Sequence, residues 1–116
     1  MIPKTRIELL QGTLDLLILR TLQFGTSHGH AIAKHIQRTS AEMLQVETGS
    51  LYPALHRLEA QGWIDASWEI SDKGKRAKYY CLTPAGRKQL ASERSRWEQI
   101  SLAMAMVLNP TPQESQ

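Results

Sequence analysis

The 116-residue chain predicts a mainly α fold with a small β-hairpin, and three observations carry that expectation. Gly49-Ser50-Leu51-Tyr52-Pro53-Ala54-Leu55-His56-Arg57-Leu58-Glu59 reads as a short helix with one apolar face and one polar, aromatic, basic face. Ile64 to Ile70 then alternates apolar with polar, and Lys73-Gly74-Lys75-Arg76-Ala77-Lys78-Tyr79-Tyr80 reads as the basic tip of a hairpin. Last, Pro84 to about Leu108 reads as one helix, and at ~1.5 Å per residue it is about 40 Å long, more than so small a core covers. A helix followed by a basic hairpin is the layout of a winged helix-turn-helix, here with a long C-terminal dimerisation helix. The usual work of that layout is binding duplex DNA.

Each element has its own signal. Residues 1–8 are polar and mixed, a short arm. From Leu9 the pattern turns helical: Leu10, Leu14, Leu17, Ile18 and Leu22 line one face, and Leu9, Leu16 and Leu19 a second. A helix apolar on two sides is buried on both, so the second side is expected to meet another subunit. Gly25 ends it. Ser27 is expected to cap a second helix from about His28 to Thr39, with Ile32 and Ile36 inward, and Ser40 to Thr48 is a connector. The third helix is expected to start with Ser50 as its cap, because Pro53 then falls in the first turn, where a missing N–H has no intrahelical duty. Leu51, Leu55 and Leu58 form its core stripe and Gly62 closes it. The hairpin follows, with strand Ile64 to Ile70, a turn over Ser71 to Ala77 and a return strand Lys78 to Leu82. Thr83-Pro84 is a cap followed by proline at the first helical position. Along the last helix, Leu90, Trp97, Ile100, Met104, Val107 and Leu108 form an apolar stripe wanting a partner. The expected organisation is a DNA-binding unit with its arm over 1–83, a dimerisation helix over 84–109 and a disordered tail over 110–116.

Composition narrows the function. The net charge is only +3, but six of the 14 Lys and Arg residues fall within 71–88 against one acid, Asp72. Such clustering creates a phosphate-attracting field. A solvated charged hairpin is the plainer alternative. The single cysteine, Cys81, rules out an intrachain disulfide. No run approaches the ~20 apolar residues that span a bilayer. The stretch Leu14 to Leu22 is interrupted by Asp15 and Arg20. The expected location is the cytoplasm, with no membrane association. Gly-rich phosphate loops, a Gly-x-Ser-x-Gly elbow and His-Glu-x-x-His are all absent from the sequence, so no enzyme is read. His28, His30 and His35 cluster without ligand spacing, so no metal and no cofactor is expected. Asp15 is read as bonding locally.

The candidate contacts follow from the elements. The core stripe of the third helix leaves Ser50, Tyr52, Pro53, His56 and Arg57 on or near its outer side, where such groups reach base edges and phosphates. Lys73, Lys75, Arg76 and Lys78 on the hairpin are expected to lie along a backbone or in a minor groove, acting mostly through charge. Lys4 and Arg6 on the arm and Lys34 on the second helix are further phosphate candidates. Leu9, Leu16, Trp97, Ile100, Met104 and Leu108 are the candidate dimer contacts. Trp97, midway along the last helix, is also a candidate for sandwiching a planar aromatic effector across a twofold axis. Trp97 as plain filling of the dimer core stands beside that reading. A protein-interaction module that binds no DNA and a metal-responsive regulator are the competing functions.

The chain also resembles the PadR family of bacterial transcriptional regulators. The resemblance is carried by Gly12-Thr13-Leu14-Asp15-Leu16-Leu17-Ile18-Leu19, His28-Gly29-His30-Ala31-Ile32, Ser50-Leu51-Tyr52-Pro53-Ala54-Leu55, Gly62-Trp63-Ile64 and Lys78-Tyr79-Tyr80-Cys81-Leu82-Thr83-Pro84. The short form with one terminal helix is most similar to a subgroup common in acidobacteria. The resemblance implies a winged-helix DNA-binding unit, a homodimer built through the last and first helices, repression of a duplex operator, and release by a small molecule in some members. It places Ser50, Tyr52, Pro53 and His56 on a recognition helix, and Lys73, Lys75, Arg76 and Lys78 on a wing. The chain departs from the family at His30, where a tyrosine is usual after Gly29.

Overall fold

The computed structural model describes residues 7–8 and 11–110. Among these described residues nine elements follow one another: β1 (Ile7–Glu8), α1 (Gln11–Leu22), β2 (Ser27–His28), α2 (Gly29–Thr39), β3 (Leu44–Gln45), α3 (Thr48–Ala60), β4 (Ile64–Ile70), β5 (Arg76–Leu82) and α4 (Pro84–Leu108). Lys4, Arg6, Leu9, Leu10 and residues 111–116 lie outside the described residues.

One apolar cluster holds α1, α2, α3 and the base of the hairpin together. Leu14, Ile18 and Leu22 of α1, Ile32 and Ile36 of α2, Leu51, Ala54, Leu55 and Leu58 of α3, with Ile64, Tyr80 and Leu90, are buried. These include every described inward position expected for α2 and α3. At ~1.5–3 kcal/mol per fully buried large apolar side chain, this cluster is the main favourable term in folding. The second apolar line of α1 divides. Leu19 is fully buried in the chain's own core, whereas Leu16 is only half-buried. Of the described pair only Leu16 keeps exposed surface, because the core wraps further round α1 than its spacing suggests.

Several boundaries differ from the sequence expectation. Ser27 does not cap α2: Ser27 and His28 pair with Tyr80 and Tyr79 of β5, and His28 is the cap, its Nδ1 accepting the Ala31 N–H at 3.2 Å. The connector carries β3, which pairs parallel with β1 in the arm. Helix α3 starts at Thr48 rather than after Ser50, with Glu47 as a cap that makes no side-chain bond. Pro53 therefore lies deeper than the first turn and leaves the Gly49 carbonyl without its i+4 amide. The cost is small where such a carbonyl can bond to solvent, and Gly49 is exposed. The return strand begins at Arg76, not Lys78, so the turn is shorter than expected.

Other boundaries fall where the residues put them. Gly62 closes α3, its N–H bonding the Glu59 carbonyl at 3.0 Å while the Trp63 N–H bonds that of Leu58 at 3.1 Å. Thr83 caps α4 by accepting the Gly86 N–H at 3.0 Å, with Pro84 at the first position. β5 is the middle strand of the three-stranded antiparallel sheet β2-β5-β4. None of the helices among the described residues is long and apolar enough to cross a membrane.

Candidate nucleic-acid interface and subunit surface

Helix α3 lies on α1 and α2 with Leu51, Leu55 and Leu58 inward, which leaves Ser50, Tyr52, Pro53 and His56 exposed. Tyr52 is seated rather than free. A Cβ built on Gly29 would lie 3.0 Å from the Tyr52 hydroxyl and 3.0 Å from its Cε1. Gly29, at the start of α2, thus admits the ring and fixes how α2 and α3 meet. Beside it His30 is exposed, its ring parallel to that of His28 with centroids 6.4 Å apart, and Tyr79 meets His28 edge-on at 5.4 Å. His30, standing where the family tyrosine is usual, is on the surface and on this cluster.

Arg57 departs from the outward reading. Its Nη2 donates to Asp15 Oδ1 at 2.8 Å, tying α3 to α1. Asp15, expected to bond locally, thus bonds a residue 42 positions away. Burial raises the Asp15 carboxyl above its ordinary value, and the charge and hydrogen bond of Arg57 oppose that rise. On the hairpin, Lys78 Nζ meets Glu59 Oε1 of α3 at 3.2 Å, so this cation too is partly engaged within the chain. Lys73, Lys75 and Arg76 are exposed, and so is Lys34 on α2. Arg87 and Lys88 extend the exposed cations onto the N-terminal part of α4. Among the described residues no cluster of His, Cys, Asp and Glu has the makings of a metal site.

A second feature lies between α1 and α4. A groove of about 420 Å³ is lined by Gly12, Thr13 and Leu16 of α1 and by Glu93, Arg96, Trp97 and Ile100 among others of α4. Beyond it Leu102, Met104, Met106, Val107 and Leu108 are all exposed. Met104, Val107 and Leu108 continue the side of α4 that carries Trp97 and Ile100, whereas Leu102 and Met106 lie on the other side of the helix. The sequence reading names Leu16, Trp97 and Ile100 of this lining but not Glu93, whose Oε2 is buried without a hydrogen-bond partner. Burial raises the Glu93 carboxyl above its ordinary value. A Gln89 hydrogen bond opposes that rise, the Asp15 charge adds to it, and Arg96 opposes it.

That shift gives a stability prediction. A carboxyl with a raised folded-state pKa holds its proton more tightly when folded. Its favourable contribution is complete below the unfolded value, near 4.5 for Glu93, and is lost as pH rises through the folded value. Glu93→Gln keeps the shape without titrating. It is expected to melt higher than wild type at pH 7 and to lose that advantage below pH 4.5. A variant that melts lower at pH 7 contradicts this account of Glu93.

Comparison with known proteins fits this arrangement. The family model described as the transcriptional regulator PadR-like family matches residues 18–92. The chain is 32% identical over 94 residues to a Mycobacterium tuberculosis protein named transcriptional regulator Rv3488, spanning 81% of this chain and 84% of that one. It is similar to the crystal structure of a PadR family transcription regulator from Clostridium difficile, with a TM-score of 0.73 and 30% identity over 83% of this chain and 98% of the other. A PadR family regulator from Eggerthella lenta superposes with a TM-score of 0.75 at 28% identity, covering 87% of this chain and 86% of that one. With a model match over most of its length and a regulator relative above 30% identity, the chain belongs to the PadR-like family of transcriptional regulators.

Proposed function

We propose that this protein is a cytoplasmic, homodimeric, sequence-specific DNA-binding repressor and not an enzyme. The observation that carries the reading is the pairing of an exposed polar and aromatic face on α3 with the exposed cations Lys73, Lys75 and Arg76 beside it. Residues 1–83 form the DNA-binding unit and 84–109 the dimerisation helix. Ser50, Tyr52, Pro53 and His56 face the major groove. Arg57 seats α3 on α1 through Asp15 rather than reaching bases. Lys34, with Lys4 and Arg6 of the arm, adds phosphate contacts. A partner's α4 covers Leu16, Trp97, Ile100, Met104 and Leu108, and Leu9, outside the described residues, is proposed to join that seam. A gel shift with the upstream region of its own gene tests the reading, and failure to bind any duplex favours a protein-interaction module.

Substitutions on α3 separate base reading from backbone positioning. Tyr52→Ala or His56→Ala is expected to cost roughly 1–3 kcal/mol on the operator and less on random DNA. Binding titrations on both duplexes check this, and equal loss on the two assigns these side chains to the backbone.

Release by a small planar aromatic compound is the effector reading. Trp97 is half-exposed at the mouth of the α1/α4 groove, and its twin across the twofold axis supplies a second ring. Such a compound is expected to quench the wild type and to quench Trp97→Phe much less, with Trp63 and Trp68 present in both. If no compound quenches Trp97 or loosens DNA, the repressor is controlled by its own abundance.

A further inference from the structure

We propose that the wing formed by β4 and β5 reads the shape of an A·T-rich minor groove through Arg76 held over the ring of Trp68. This rests on the DNA-binding reading above and adds to it, because a wing acting through charge alone makes no distinction among sequences.

The register places Trp68 opposite Lys78 and Ile70 opposite Arg76. With the period-two alternation of strands, these residues share the face that carries Ile64, Ala66, Tyr80 and Leu82 nearer the body. The core covers the inner half of that face, where Ile64 and Tyr80 are buried. The outer half is uncovered: Trp68 is 57% exposed and Ile70 76%. The opposite face carries Asp65, Ser67 and Glu69, with the Ser67 hydroxyl donating to Glu69 Oε2 at 3.0 Å. Only the Trp68 face is therefore matched to a polyanion.

On that face Lys78 is engaged by Glu59, whereas Arg76 has no ion-pair partner among the described residues. Its guanidinium carbon stands 4.7 Å from the centre of the Trp68 ring. A planar guanidinium stacked on an aromatic face keeps its edge donors free, and less rotamer freedom remains to be lost on binding. The turn beside it is fixed, with the Ser71 N–H on the Lys75 carbonyl at 2.7 Å and the Lys75 N–H on Ser71 Oγ at 3.2 Å. A phosphate contact needs only a charge, which an unsupported lysine supplies. A positioned arginine flanked by apolar Trp68 and Ile70 suits the narrow groove of A·T-rich DNA, where the negative potential is enhanced and the walls are sugar. Trp68 is thus a positioning residue for Arg76.

The test begins with duplexes that the wild-type protein selects from a randomised pool. Base pairs under the wing are those whose minor-groove protection is lost in Arg76→Ala. They are then made A·T, G·C or inosine·C, the last removing the guanine amino group from the minor groove while keeping the G·C pattern of the major groove. Wild type is expected to bind the A·T and inosine·C duplexes alike and the G·C duplex about five- to tenfold more weakly. Arg76→Lys, which keeps the charge, and Trp68→Ala should both bring that ratio close to one, and Trp68→Phe should retain part of it. Melting temperatures should be unchanged, since both side chains are exposed. If the wild type selects no duplex, the DNA-binding reading falls and this proposal with it. If protection does not change in Arg76→Ala, if the three duplexes bind alike, or if Arg76→Lys discriminates as wild type does, the wing proposal is overturned while DNA binding stands.

Discussion

Changing Met104 and Leu108 together to Glu is expected to yield monomers that no longer hold the operator. The two residues are one turn apart on α4, and Ile100 and Trp97 continue the same side toward the groove. All four are exposed in the single chain, so the substitutions leave its core untouched. A twofold interface presents each residue to its counterpart's surface, so each dimer would receive like charges in a paired apolar seam. Two linked recognition helices bind with an avidity ~10²–10⁴ above one, and a loss of at least ~100-fold in operator affinity is expected. Apparent thermal stability should fall as well, because the dimer no longer favours the folded state. Sedimentation equilibrium beside circular dichroism separates dissociation from unfolding. An intact dimer removes α4 from the seam.

Gly86→Ala should produce the largest loss of stability from a single methyl group. A Cβ there would lie 2.0 Å from the Trp63 carbonyl oxygen and 2.8 Å from Leu82 Cδ1. The obstacle is backbone and cannot swing aside. The same junction is locked by the Thr83 N–H on the Trp63 carbonyl at 3.1 Å and by Thr83 Oγ1 on the Gly62 carbonyl at 2.7 Å. Helix α4 must move off these bonds to admit the methyl. A cost of ~3 kcal/mol or more follows, a fall in melting temperature on the order of 10–20 °C. Thermal or urea unfolding checks it, and an unchanged midpoint contradicts the close seating of α4 on the base of the wing.

Local chemistry explains which elements the sequence discloses. Thr83-Pro84 and Gly62 carry their own capping logic, and α4 and the end of α3 fall where those residues put them. The alternation from Ile64 to Ile70 predicts a strand, and one forms. Alternation does not reveal that the body stops halfway along the hairpin and leaves Trp68 and Ile70 uncovered. The start of α3 is misjudged because a proline rule for helix interiors assumes a dry carbonyl, and the Gly49 carbonyl belongs to an exposed residue. The Asp15–Arg57 pair joins α1 to α3 across 42 positions, which no local spacing encodes. Glu93 reads as one more charge on an exposed helix until α1 is laid beside it. The two-residue ladder of β1 with β3 is too short for any periodicity to mark.

The salt dependence of operator binding, measured together with the number of chains per duplex, tests the central claim most directly. A dimer that neutralises ~6–8 phosphates gives a log–log slope of about −5 to −7. Two chains should occupy each site, and Lys75→Ala with Arg76→Ala should flatten the slope. Binding that is insensitive to salt, one chain per duplex, or no duplex binding at low ionic strength would contradict a dimeric DNA-binding regulator.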